Sequence, residues 1–170
     1  MGKPDIFEVL KKEHRKVQDL ISQIKDRQPG EMRQEIFRDL DEDLKAHSKA
    51  EERLIYPILL SAPEKEGRVF GFSAEEEHKI VENILNEMEE NSVESDEWNG
   101  LFHVLSESVH QHIDEEESKG FVLLRKMCDK DRRAELADEF VSLKDSLLKE
   151  DASDSSRKEP RTRDYRITPQ

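Results

Sequence analysis

Three features of this sequence predict an all-α fold, an up-down-up-down four-helix bundle with an additional C-terminal helix. Charged residues make up 41% of the chain while Gly and Pro number only six each, the profile of long solvated helices rather than a sheet. Apolar residues recur at three- and four-residue steps through each long segment, which puts them on one helical face. A pattern of His and Glu in the first half returns in the second, so two helical pairs are expected to share one core.

At 170 residues the chain suits one domain with a sizeable core. Residues 1–149 are expected to form the bundle and its C-terminal helix, and residues 150–170 a disordered tail. The formal net charge of -13 argues against a nucleic-acid or anionic-membrane surface, because phosphate binding rests on clustered Lys and Arg. The single cysteine, Cys128, excludes an intramolecular disulfide and fits a reducing compartment. No apolar run reaches the length of a signal peptide or a membrane span, and a soluble cytoplasmic protein is expected.

Pro4 and Asp5 open the first helix, with Glu8 completing a capping box, and the helix is expected to run to about Arg27. His14 falls within its apolar stripe of Phe7, Leu10, Val17, Ile21 and Ile24. The second helix starts near Glu31, after the break at Pro29 and Gly30, and carries Ile36, Leu40 and Leu44 on the face that holds His47 and Glu51. Pro57 should kink this helix or end its regular part. Tyr56 lies about 180° round the helix from His47 and is expected to face away from it. A loop containing Pro63, Gly67 and Gly71 follows, and Ser73 with Glu76 reads as a capping box that opens a third helix burying His78, Val81, Leu85 and Met88. Ser95 caps the fourth, which aligns Leu101, Leu105, Ser108, His112 and Glu116, and Gly120 is placed to bend it. A fifth helix over about residues 130–148 has Leu136, Phe140, Leu143 and Leu147 to dock on the bundle.

The chemistry lies in the duplicated motif. His47 with Glu51 and His112 with Glu116 are each four residues apart, so imidazole and carboxylate share a helical face. The sequence around His14, KKEHRKVQDLI, matches EEEHKIVENIL around His78. Each bundle helix therefore delivers one His to the shared core, and two add a Glu. Burying these polar groups together without a cation would cost roughly 1 to 3 kcal/mol for each left unpaired. Four imidazoles and two carboxylates suit two iron, manganese or zinc ions, with positions left for a bridging oxo or hydroxo group and a small ligand.

A ferritin-type alternative would use ExxH pairs, here Glu75 with His78 and Glu107 with His110. His110, however, lies about 160° from His112, alongside His103, Ser106, Asp114 and Glu117 on a face that reads as solvated. Asp43 and Glu82, one turn from His47 and His78, read either as carboxylates that assist the metal or as solvated acids at the margin. Glu13 and Glu77 are expected off the core.

The ordered pattern of His, HxxxE, His and HxxxE over about residues 5–124, with EERLIYPIL after His47, resembles the hemerythrin-like, or HHE cation-binding, family. The resemblance implies a four-helix bundle around an oxo-bridged and carboxylate-bridged pair of non-haem irons, with His14, His47, Glu51, His78, His112 and Glu116 as ligands. Two departures separate the chain from the oxygen-carrying members and look like the bacterial branch and the iron-sensing hemerythrin domain of an animal ubiquitin-ligase subunit. Ala74 stands where the carriers have a fifth His, and the last motif is HxxxE rather than HxxxxD, with Glu117 five residues after His112.

Two functions follow as expectations. One is a di-iron protein that binds or senses oxygen, nitric oxide or iron itself. The other is a redox enzyme that decomposes peroxide or nitric oxide, for which the sequence offers no evident proton donor. A bundle using metal only for stability is the third reading. Arg157, Lys158, Arg161, Arg163 and Arg166 form a basic patch in the tail that would serve as an output only in a sensor.

Overall fold

The computed structural model describes residues 4–155. Its elements are α1 (Ile6–Lys25), α2 (Glu31–Leu54), α3 (Tyr56–Leu60), α4 (Lys65–Glu89), α5 (Asp96–Glu115), a π-helical turn (Glu116–Gly120), α6 (Phe121–Met127) and α7 (Lys130–Ser155). The tail beyond Ser155, with its basic patch, lies outside the described residues, and α7 itself runs past the expected end near residue 148.

Local sequence sets the ends. The Asp5 side chain accepts from the Phe7 amide while Glu8 reaches back to the Asp5 amide, closing the expected capping box. Ser95 caps α5 through the Trp98 amide. Gly30, at φ 148, turns the chain from α1 into α2 through a conformation that favours glycine.

The bundle is formed by α1 and α2 packed as one pair and α4 and α5 as the other, with α7 lying against α1 and α2. That fifth helix explains why α2 is buried over more than one face. Ala46 and Ala50 are fully buried beside the expected stripe of Leu40 and Leu44, and their small side chains admit α7.

One expectation for the third helix fails. Gly67 and Gly71 belong to α4, which begins at Lys65, and Ser73 is inside the helix rather than its cap. The glycines serve close approach, not a loop. A Cβ at Gly67 would lie 2.7 Å from the Cβ of Ala62, and one at Gly71 would lie 3.0 Å from Leu60 Cδ2, so α4 presses onto α3 where side chains are missing. Gly67→Ala is therefore expected to destabilise the protein by about 1 kcal/mol, overpacking of roughly 2 kcal/mol being partly offset by the better helix propensity of Ala. Urea unfolding checks this.

The buried apolar residues fall into two clusters, one with Leu10, Ala50, Ala74, Phe121 and Phe140, the other with Val17, Leu44, Val81, Val109 and Ile113. Each of the four motif histidines lies along its helix between a residue of one cluster and a residue of the other. The core is thus split by a layer of buried polar side chains.

Candidate metal centre

His14, His47, Glu51, His78, His112 and Glu116 are all buried, with Glu51 fully enclosed. The structure brings all six into that polar layer. The ligating atoms of His14, His47, Glu51 and Glu116 form one group and those of Glu51, His78 and His112 a second, each group lying within 4.8 Å. Glu51 belongs to both. One of its oxygens is 3.1 Å from His47 Nε2 and the other 3.4 Å from His78 Nε2, so a single carboxylate spans the two groups. Glu116 Oε2 sits 3.1 Å from His14 Nε2.

The far side of each ring fixes its orientation. His14 Nδ1 is 2.9 Å from Glu117, His78 Nδ1 is 3.1 Å from Glu52, and His112 Nδ1 is 2.8 Å from Glu77. A carboxylate there holds the proton on Nδ1 and turns the Nε2 lone pair inward, the arrangement that serves a metal-binding imidazole. Meanwhile His14 Nε2, Glu51 Oε1 and Glu116 Oε2 are buried and, apart from these close imidazole–carboxylate approaches, make no hydrogen bond of good geometry. Buried nitrogen and carboxylate ligand atoms that converge in this way fit a cation, and the residues present pass that test.

Without a metal these groups must compensate one another. Burial opposes charge on His14, but Glu116, Glu51 and Glu117 outweigh it and raise its pKa to about 9. Burial likewise opposes charge on His78, and Glu51, Glu52 and Glu116 raise it to about 9. Glu51, despite complete burial that favours its neutral form, is held well below the usual carboxylate range by His47 and His78.

Three expectations are corrected. Tyr56 does not face away: its hydroxyl lies 3.2 Å from Glu51 Oε2, 3.0 Å from His78 Nε2 and 3.5 Å from His112 Nε2. The cause is the helix break. α2 stops at Leu54, Ile55 departs to φ -99 and ψ -53, and Pro57 opens α3, so the angular count from His47 does not carry across. Pro57 was legible as a break, but the direction of the turned-in ring was not. Burial, with the Glu51 and Glu116 charges, pushes the Tyr56 phenol well above its usual pKa and keeps its proton on.

The second correction concerns two acids expected off the core or on a solvated face. Glu77 is the partner of His112, and Glu117, assigned to a solvated face, is the partner of His14. Glu117 reaches the core because the chain widens into a π-helical turn from Glu116 to Gly120, and the Phe121 amide bonds to the Glu116 carbonyl five residues back. That turn presents two successive glutamates to the two nitrogens of one ring. Gly120 permits it, since a Cβ there would meet the Phe70 ring at 2.8 Å. The third concerns Ser106, which is buried rather than solvated, and whose carbonyl lies 2.6 Å from His110 Nδ1. His110 nonetheless stays out of the centre, as does exposed His103. Of the two acids left open, Asp43 is buried and Glu82 is exposed.

A helical bundle whose core is interrupted by four inward histidines and two glutamates defines a class of bundle protein with a buried cluster that could hold a metal. The model of the Hemerythrin HHE cation binding domain matches residues 5–124, and the chain belongs to that family. A DNA nickase of Nostoc sp. is 25% identical over 150 residues, which cover 84% of this chain and 40% of that protein. An uncharacterised hemerythrin-like protein of Schizosaccharomyces pombe is 25% identical over 139 residues, covering 82% of this chain and 68% of the relative. The fold is that of the crystal structure of a hemerythrin HHE cation-binding domain protein from Mycobacterium kansasii, at a TM-score of 0.80 and 20% identity, covering 91% of this chain and 94% of the other. Among the described residues, no helix is long and apolar enough to cross a membrane.

Proposed function

We propose that this chain is a cytoplasmic non-haem di-iron protein that binds or senses a small ligand, either oxygen, nitric oxide or iron itself. The observation that carries the reading is Glu51, which has one oxygen on His47 and the other on His78 and so belongs to both groups of converging ligand atoms. His14, His47 and Glu116 would hold one iron and His78 and His112 the other, with Glu51 placed to serve both. Bound iron would supply redox chemistry and an open coordination position.

A small void lies among the four imidazoles. A cavity of about 20 Å³ is lined by all four histidines together with Val17, Leu44, Val81, Val109 and Ile113. That is room for about one water-sized molecule between mostly aliphatic walls.

Tyr56 favours the second reading, a redox enzyme that decomposes peroxide or nitric oxide. Its protonated Oη stands against the His78 and His112 nitrogens and can donate a hydrogen bond to an oxygen placed there. The rest of the chain's part is to orient the imidazoles through Glu117, Glu52 and Glu77 and to keep bulk water out with the two apolar clusters.

The test is the metal content of anaerobically purified protein, followed by its absorption as oxygen, nitric oxide and peroxide are added in turn. About two irons per chain with a lasting oxygen or nitric oxide spectrum supports the binding protein. Rapid peroxide or nitric oxide turnover supports the enzyme. In that case Tyr56→Phe is expected to keep the iron and to slow turnover about 100-fold, the usual scale for loss of a positioned hydrogen-bond donor. Little iron, with zinc in its place, removes both readings.

A further inference from the structure

His14, His78 and His112 each have a carboxylate on Nδ1, but the fourth imidazole does not. His47 Nδ1 is buried and without a partner. One turn earlier on the same helix stands Asp43, 2% exposed. Its Oδ1 takes Lys16 at 2.5 Å and Lys144 at 3.0 Å, while its Oδ2 is buried and unpartnered. Two orphaned polar atoms, a donor and an acceptor, therefore lie one helical turn apart on α2. Left unpaired, each costs roughly 1 to 3 kcal/mol.

Lys144 comes from α7 and is 5% exposed, an unusual place for an ammonium. Besides Asp43 it pairs with Glu13, the residue before His14. One turn before it on α7, the Phe140 ring stands edge-on to His47 at 5.6 Å between centroids. The fifth helix thus contacts the His47 side of the centre twice, by an aromatic wall and by a buried cation that ties α1 to α2.

We propose that Asp43 is the positioning carboxylate of His47, its Oδ2 accepting from His47 Nδ1 through one bridging water, and that Lys144 of α7 holds Asp43 in place. The C-terminal helix then completes the metal centre and tunes one half of it. This rests on the metal-centre reading. Its consequence is one-sided, because Glu52 and Glu77 serve His78 and His112 independently of α7.

The experiment titrates the metal-free full chain with Co²⁺ under anaerobic conditions, alongside thermal unfolding without metal and paramagnetically shifted imidazole N–H resonances with metal. Asp43→Ala is expected to weaken one of two Co²⁺ sites by about 10- to 100-fold, the usual scale for loss of a carboxylate behind a ligand imidazole, and to leave the other unchanged. One of four slowly exchanging N–H resonances should be lost. Lys144→Met, which keeps Asp43, should weaken the same site less, and the double variant should be no worse than Asp43→Ala alone. Wild-type chain that binds two Co²⁺ with affinities unmoved by either variant overturns the proposal, as does equal weakening of both sites. Variants that lower only the metal-free unfolding temperature overturn it too, reducing the cluster to a structural clamp. Wild-type chain that binds no Co²⁺ sinks the metal reading and this proposal together.

Discussion

Glu51→Ala is expected to empty both metal positions, whereas Glu116→Ala empties chiefly the one at His14 and His47. The difference follows from geometry: Glu51 stands in both groups of converging ligand atoms and Glu116 in one. Metal content by elemental analysis should fall from about two ions per chain to near zero for the first variant and to about one for the second. His110→Ala should retain both ions, since that ring points at the Ser106 carbonyl and away from the centre. Stability should follow occupancy, because a metal that binds only the folded state stabilises it by mass action, about 4 kcal/mol at a thousandfold excess over Kd. For a chain of this size that corresponds to a fall in Tm of roughly 8 to 16 °C on losing the metal. Loss of iron from His110→Ala with retention by His112→Ala would overturn the facing of α5 and return the ferritin-type pairing.

The second large effect is an opposite pH dependence of the metal-free and metal-loaded forms. In the metal-free protein His14 and His78 have pKa values raised from 6.5 to about 9. A raised folded-state pKa gives stability that is fully present below the unfolded value and is lost as pH rises through the folded one. The window is therefore pH 6.5 to about 9, and the loss is on the order of 3 kcal/mol for each ring. Glu51 acts in the other direction. Its depressed pKa stabilises the fold above the ordinary carboxylate range, and that contribution is lost as the pH falls. The metal-free chain should consequently be most stable in weakly acidic solution. Metal competes with the same protons, so its apparent affinity should rise up to tenfold per pH unit for each proton displaced, levelling off near pH 9. Thermal unfolding from pH 5 to 9, with and without zinc, checks both slopes. A metal-free Tm that climbs between pH 7 and 9 would contradict the charged, carboxylate-held imidazoles.

Both predictions depend on residues that were legible in the chain and on contacts that were not. The six-residue set could be read because a helix repeats every 3.6 residues. His14, His47, Glu51, His78, His112 and Glu116 lie in apolar stripes, and the duplication placed the same chemistry on each half. The capping box at Asp5, the break at Pro57 and the docking residues of the fifth helix were legible for the same reason, being local. Tyr56 was missed because its direction depends on how the chain turns at Ile55, and an angular count holds only within one unbroken helix. Glu117 was missed because the π-helical turn adds a residue to one turn, which no periodic pattern announces.

The sequence by itself determined the helical class, the bundle and the inward polar set, since these follow from short-range spacing and from the need to bury apolar faces. Only the tertiary structure decided which carboxylate stands behind which ring. Glu52, Glu77 and Glu117 each act on a histidine of another helix, and Lys144 reaches Asp43 across 101 positions of sequence. An acidic residue at the edge of a stripe looks the same in sequence whether it meets water or a neighbouring imidazole. Packing makes that choice, because the partner lies on a helix whose distance and rotation are fixed by the core as a whole.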